Sequence, residues 1–87
     1  MKYFKIIAWG ECPFCVKAKA ALLERNYEIE YVVLDHAPKR LAFFKSIYNM
    51  KTVPIVVMIN EDLQIEETIG GYTDLIKFLE RGVGEDT

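Results

Sequence analysis

The chain has little with which to hold a metal ion. Among 87 residues it has one histidine, His36, and two cysteines. A closed zinc site needs four ligands, so these three would have to recruit a carboxylate. Charge of either sign is nearly balanced, with a formal net charge of −2. That argues against nucleic acid as the main partner. No apolar run approaches the roughly 18 residues of a membrane span, so no membrane partner is expected. Ile6-Ile7-Ala8-Trp9 follows a basic start. It is too short for a secretion-signal core, and no small-residue cleavage site follows. A cytoplasmic location is expected. In a reducing compartment the two cysteines read as catalytic or metal-binding rather than as a structural staple.

What is present is a core. Hydrophobic residues make up 52% of the chain, enough to exclude disorder, and the length suits one domain, residues 1–87. Tyr3 to Ala8 reads as a buried strand. Gly10 and Glu11 break it, and Pro13 fits the first turn of a helix. Ala18 and Leu22 then share a face with Cys15, while Lys17 and Glu24 lie opposite. Asn26 suits the helix stop. Glu28 to Leu34 gives a second strand. Asp35 or His36 is expected to cap a second helix, with Pro38 near its start and Leu41, Phe44 and Tyr48 at helical spacing. Asn49 ends it. Ile55 to Ile59 is a central strand. Asn60-Glu61-Asp62 forms a turn, and Leu63, Ile65, Glu67 and Ile69 alternate as a fourth strand. Gly70-Gly71 stops that strand. Thr73 is expected to cap a last helix whose apolar face is Leu75, Phe78 and Leu79. Gly82 ends the helix, and Val83 to Thr87 reads as a frayed tail.

The order is β-α-β-α-β-β-α. The first β-α-β should be a parallel unit, and the last two strands are joined too tightly for anything but an antiparallel hairpin. This is an α/β, thioredoxin-type fold with a four-stranded mixed sheet flanked by three helices.

Chemistry concentrates at Cys12-Pro13-Phe14-Cys15, where a strand gives way to a helix. A thiol at a helix start meets unpaired N–H groups and the positive end of the dipole. Both favour the thiolate, the nucleophile of thiol–disulfide exchange. A redox pair is the leading reading; a zinc site and two inert buried thiols stand beside it. In the redox reading Cys12 attacks and Cys15 resolves. Thr52-Val53-Pro54 precedes the central strand. A trans bond there is an ordinary strand start; a cis bond would turn the Val53 backbone outward toward a peptide-like substrate. Gly70-Gly71-Tyr72-Thr73-Asp74 reads as a turn and cap, or as a site for a ligand with adjacent carboxylate and ammonium groups.

Taken together, Cys-Pro-Phe-Cys, Thr-Val-Pro and Gly-Gly-x-x-Asp resemble a dithiol glutaredoxin from Tyr3 to about Leu79. The compact length is similar to that of glutaredoxins of large bacteriophages. The resemblance implies a cis Pro54 and glutathione as co-substrate, with no tightly bound cofactor and no metal. It implies that Cys12 and Cys15 are catalytic and that Pro13 stiffens their turn. Thr52 and Val53 would hold the tripeptide backbone, and Thr73 and Asp74 its γ-glutamyl end beside Gly71 and Tyr72. Phe14 stands where many relatives have tyrosine. Trp9 stands where many have a cation, and Lys51 is the expected substitute as carboxylate partner. Lys17 and Lys19 have two readings, electrostatic support of the thiolate or solvated surface charge, and Lys19 reads as surface. Trp9 has two readings, a core aromatic or a groove wall beside Cys12 that contacts a partner protein. Phe43, Phe44 and Tyr48 read as core, and His36 as a loop or capping residue. The function implied is glutathione-dependent reduction of protein disulfides and glutathione mixed disulfides by a monomer, with ribonucleotide reductase as a client. Two alternatives are a thioredoxin-like reductase recharged by a flavoprotein and an iron–sulfur cluster carrier. Pro13 counts against the carrier, since cluster-binding relatives usually have a smaller residue there.

Overall fold

A computed structural model describes residues 2–81. The expected end of the last helix at Gly82 and the tail from Val83 to Thr87 lie outside the described residues. The elements are β1 (Lys2–Ala8), α1 (Pro13–Glu24), β2 (Ile29–Val33), α2 (Pro38–Ile47), β3 (Ile55–Asn60), β4 (Ile65–Gly70) and α3 (Tyr72–Glu80). The sheet order is β2-β1-β3-β4. β1 runs parallel to β2 and antiparallel to β3, and β3 to β4 is antiparallel. The expected order and pairing senses are all present.

Strand alternation splits the core between the two faces of the sheet. Phe4, Ile6 and Ala8 of β1 point with Val56 toward α1 and α3, where they meet Cys15, Ala18, Leu22, Leu75 and Phe78. Phe4 sits edge-on to Tyr27 at 5.0 Å and to Phe78 at 6.2 Å between ring centroids. Ile7, Ile55 and Val57 point the other way, toward Leu41 and Phe44 of α2. Burying each such side chain stabilises the fold by about 1.5–3 kcal/mol, so both sheet faces contribute. Tyr48, at the C-cap of α2, reaches across to β4, where its hydroxyl donates to Glu66 Oε1 at 3.0 Å.

The helix stops follow the asparagines. Asn26 and Asn49 adopt left-handed backbone, with φ of 63° and 55°, a conformation asparagine tolerates better than most residues. The helix starts differ from expectation. Ala37, with no side-chain cap bond, begins α2. Asp35 does not cap it, because its carboxylate is engaged elsewhere: Oδ1 accepts the Gly10 N–H at 2.8 Å. Gly71, not Thr73, stands at the N-cap of α3. Thr73 lies inside the first turn, and the carboxylate of Asp74 accepts the Gly71 N–H at 3.1 Å. Only this half of a capping box forms, since glycine has no side chain to return the bond.

The fourth strand begins at Ile65, two residues later than the alternation suggests. Leu63 belongs to the preceding turn: its N–H donates to Asn60 Oδ1 at 3.2 Å, Gln64 takes φ of 54°, and the Leu63 side chain is exposed. Asparagine satisfying a backbone donor two or three residues on is a turn device that outweighs the apolar pattern. Phe43 is also exposed rather than core, at 59% of its surface, because Leu41 and Phe44 occupy the face of α2 that meets the sheet.

Candidate active site

Cys12 is the N-cap of α1, in extended backbone. Its carbonyl accepts the Val16 N–H at 3.1 Å. Its sulfur accepts the Cys15 N–H at 3.2 Å. A sulfur in that place takes up one of the orphan donors of the first helical turn, and the bond strengthens when the sulfur carries charge. Pro13 occupies the first turn and has no N–H to satisfy. Both cysteines are free thiols; Cys12 is half-buried and Cys15 is wholly buried. Burial first, and then its bond with Cys12, pushes the Cys15 thiol up to about 12. Cys15 therefore keeps its proton at neutral pH while Cys12 faces the surface.

Two adjoining grooves meet beside Cys12. One, of about 360 Å³, is walled by Trp9, Pro13 and Val53, with Cys12 in its lining and Glu11, Lys45, Lys51 and Thr52 around it. The other, of about 290 Å³, runs from Phe14 along Thr52, Val53 and Pro54 to Gly71, Tyr72, Thr73 and Asp74, with Met50 beside it. Thr52 and Val53 line both. The Val53–Pro54 peptide bond is cis. All nine residues expected to contact substrate line one groove or the other. They come from three separate stretches of chain, which the starts of α1, β3 and α3 bring to one end of the sheet.

Aromatic contacts shape the walls. Phe14 and Tyr72 lie 5.7 Å apart between centroids, tilted by 38°, and join α1 to α3 over the second groove. The Lys17 ammonium sits 5.3 Å from the Phe14 ring centroid. Trp9 is 46% exposed, so it is a groove wall and not a core aromatic. The sequence reading missed Lys45. Its ammonium stands 5.6 Å from the Trp9 ring centroid, within cation–π range. The available signal was its position four residues after buried Leu41, at the edge of the α2 face that meets the sheet.

Lys19 and His36 line neither groove; the Lys19 ammonium sits over the Tyr31 ring at 4.8 Å. A groove of about 640 Å³ between β4 and α3 is larger, but it contains no thiol and its lining mixes Glu67, Glu80, Lys77 and Arg81. Among the described residues no three His, Cys, Asp or Glu side chains cluster as a metal site would need. Among them too, no helix is long and apolar enough to cross a membrane.

A four-stranded mixed sheet with a dithiol at the start of α1 defines a thiol–disulfide oxidoreductase of the thioredoxin type. The glutaredoxin family profile matches residues 3–64, and the chain belongs to the glutaredoxin family. Among solved structures it is similar to glutaredoxin 1 from Francisella tularensis, crystallised in complex with cacodylate. The identity is 25% and the TM-score 0.75, over 97% of this chain and 99% of that one. Wheat glutaredoxin is 23% identical with a TM-score of 0.73, over 93% and 71% of the two chains. The solution structure of Brucella melitensis glutaredoxin is 20% identical with a TM-score of 0.68, over 92% and 80%. No curated protein sequence matches the chain.

Proposed function

We propose that the protein is a glutathione-dependent disulfide reductase, acting in the cytoplasm as a monomer of one domain, residues 1–87. Cys12 thiolate attacks a disulfide, forms a mixed disulfide with one half and releases the other half as a thiolate. With a protein client, Cys15 gives up its proton and attacks the Cys12 sulfur. The client leaves reduced and a Cys12–Cys15 bridge remains. One glutathione opens that bridge, leaving a Cys12–glutathione disulfide and a Cys15 thiol. A second glutathione attacks the bound glutathione sulfur, and oxidised glutathione departs. Glutathione is a co-substrate here, and no tightly bound cofactor is needed.

The observation that carries this reading is the shared lining of the two grooves by Thr52 and Val53 beside Cys12. A tripeptide disulfide laid along Val53 places its sulfur at Cys12. Its γ-glutamyl end then reaches the start of α3, where the first-turn N–H groups suit a carboxylate and Asp74 suits an ammonium. Lys51 lies on the other side for the glycyl carboxylate. Pro13 restricts the turn between the thiols. Ribonucleotide reductase is the client that the family resemblance suggests.

The test is a pair of coupled assays. Turnover of a glutathione mixed disulfide with glutathione and glutathione reductase is expected. Turnover with thioredoxin reductase in place of glutathione, and none with glutathione, would overturn the reading in favour of a thioredoxin-like reductase. An anaerobic sample with visible-range absorbance would point instead to a cluster carrier.

A further inference from the structure

The groove walled by Trp9 has a volume of about 360 Å³, and its charge is not where the family pattern puts it. Position 9 carries an indole instead of a cation. The cation comes from α2: Lys45, half-buried, is held with its ammonium 5.6 Å from the Trp9 ring centroid. Lys51 lines the same groove, with Glu11 as its carboxylate. The remaining walls, Trp9, Pro13 and Val53, are apolar. The groove thus offers an aromatic shelf, two ammonium groups and one carboxylate within reach of the Cys12 sulfur.

An ammonium on a ring face still has protons directed away from that face. Those protons can meet an incoming carboxylate, and the shelf excludes part of the water that would screen the pair. Lysine alone would be a mobile surface charge; stacking on Trp9 fixes where its charge lies and lowers the ordering cost of a contact.

We infer that Trp9 and Lys45 form a selection arm for protein clients, favouring disulfides whose reacting cysteine is followed within one or two residues by a carboxylate side chain. The inference rests on the reading in which Cys12 attacks and Val53 docks the substrate backbone. It goes beyond it in naming what a protein client presents. Glu11 opposes this preference from the same groove, so the selection is moderate. About fivefold between acidic and basic clients is the scale of one partly screened ion pair.

The experiment is single-turnover reaction with short peptides of one sequence. Each carries one cysteine as a mixed disulfide with thionitrobenzoate and Asp, Asn or Lys two residues after it. Cys12 attacks the peptide sulfur, the Cys12–peptide disulfide forms, and thionitrobenzoate leaves as a coloured thiolate. No glutathione enters, so failure of glutathione dependence in the coupled assay would be a separate result. The wild-type protein is expected to react with the Asp peptide about fivefold faster than with the Lys peptide, the Asn peptide lying between. Lys45→Gln should bring the three rates together, and Lys45→Arg should keep them apart. Lys39→Gln makes the same change in net charge on the same helix but outside the groove, and should keep the wild-type order. Equal rates for the three peptides in the wild type would overturn the inference, as would equal loss of preference in Lys39→Gln and Lys45→Gln. Trp9 is the only tryptophan of the chain, so its fluorescence gives an independent reading. It should change when a non-reactive serine version of the Asp peptide is titrated in. An unchanged signal at concentrations that inhibit the reaction would also overturn the inference.

Discussion

The Cys15 amide donates to the Cys12 sulfur at 3.2 Å, while the Cys15 sulfur itself is shut inside the core between β1 and α1. One helical turn thus holds two thiols in opposite environments. The first is bonded to a helix-start donor and open to solvent. The second is desolvated, and its pKa is driven up to about 12. Chemistry on either sulfur alone is ordinary; the contrast between them is what supports the proposed order of events.

That order is measurable. At pH 7 and in excess reductant, iodoacetamide should label Cys12 and leave Cys15 untouched until denaturant is added, as read by peptide mass spectrometry. Cys12→Ser should abolish reduction of both glutathione mixed disulfides and protein disulfides. Cys15→Ser should keep the first activity and lose most of the second. Equal residual activity in both mutants would refute the division of roles.

Stability should fall on the alkaline side, and the sign follows from which state holds the proton more tightly. Cys15 ionises near 9.0 when unfolded and at about 12 when folded, chiefly because of burial. Its contribution is complete below pH 9 and is lost as pH rises from about 9 to 12. Tyr48 behaves alike from a higher start: burial, then its bond to Glu66, moves it from 10.0 to about 12. The urea midpoint of the reduced protein should therefore begin to drop between pH 9 and 10, before the tyrosines contribute. Cys15→Ala should flatten that first interval, and Tyr48→Phe should leave it unchanged.

The sheet, the helices and the groove residues were legible because each rests on a local signal. Strand runs and Asn26 and Asn49 mark the elements, and a dithiol, a Thr-Val-Pro and a Gly-Gly pair mark the site. What was not legible depended on which of two partners a polar group would choose. Asp35 could cap α2 or bond Gly10, and only the folded loop decides for Gly10. Thr73 could cap α3, yet the chain turns two residues earlier and Asp74 takes the bond. Leu63 fits the strand alternation, but Asn60 claims its N–H for a turn. Trp9 and Lys45 lie far apart in sequence, and no periodicity reports a contact between a loop and the edge of a helix face.

Asp35 and Gly10 make a second prediction about the thiol loop. A Cβ at Gly10 would stand 2.7 Å from Asp35 Oδ2, so alanine there must push the carboxylate aside and break its bond to the Gly10 N–H. Gly10→Ala and Asp35→Ala therefore remove the same contact. Each should cost about 1 kcal/mol or less in stability. The double mutant should lose no more than either single one, because the second change finds nothing left to break. Simple additivity in urea unfolding would show that the two changes act separately.

Gly70 and Asp74 tie the fold to substrate binding. Gly70 lies at φ of +123°, where side chains are strained. A Cβ there would run into the Asp74 side chain, with its Cγ 2.9 Å away. Gly70→Ala must therefore both strain the backbone and displace the carboxylate that accepts the Gly71 N–H. Asp74→Ala removes only the second of these, worth about 0.5–1 kcal/mol at a helix start. The glycine mutant should lose roughly 1–3 kcal/mol in total, the larger effect. In the glutathione reading both should raise KM for a glutathione mixed disulfide severalfold, while kcat, which depends on Cys12, changes little. A loss of kcat with KM unchanged would mean that Asp74 shapes the thiol site and does not meet the γ-glutamyl end.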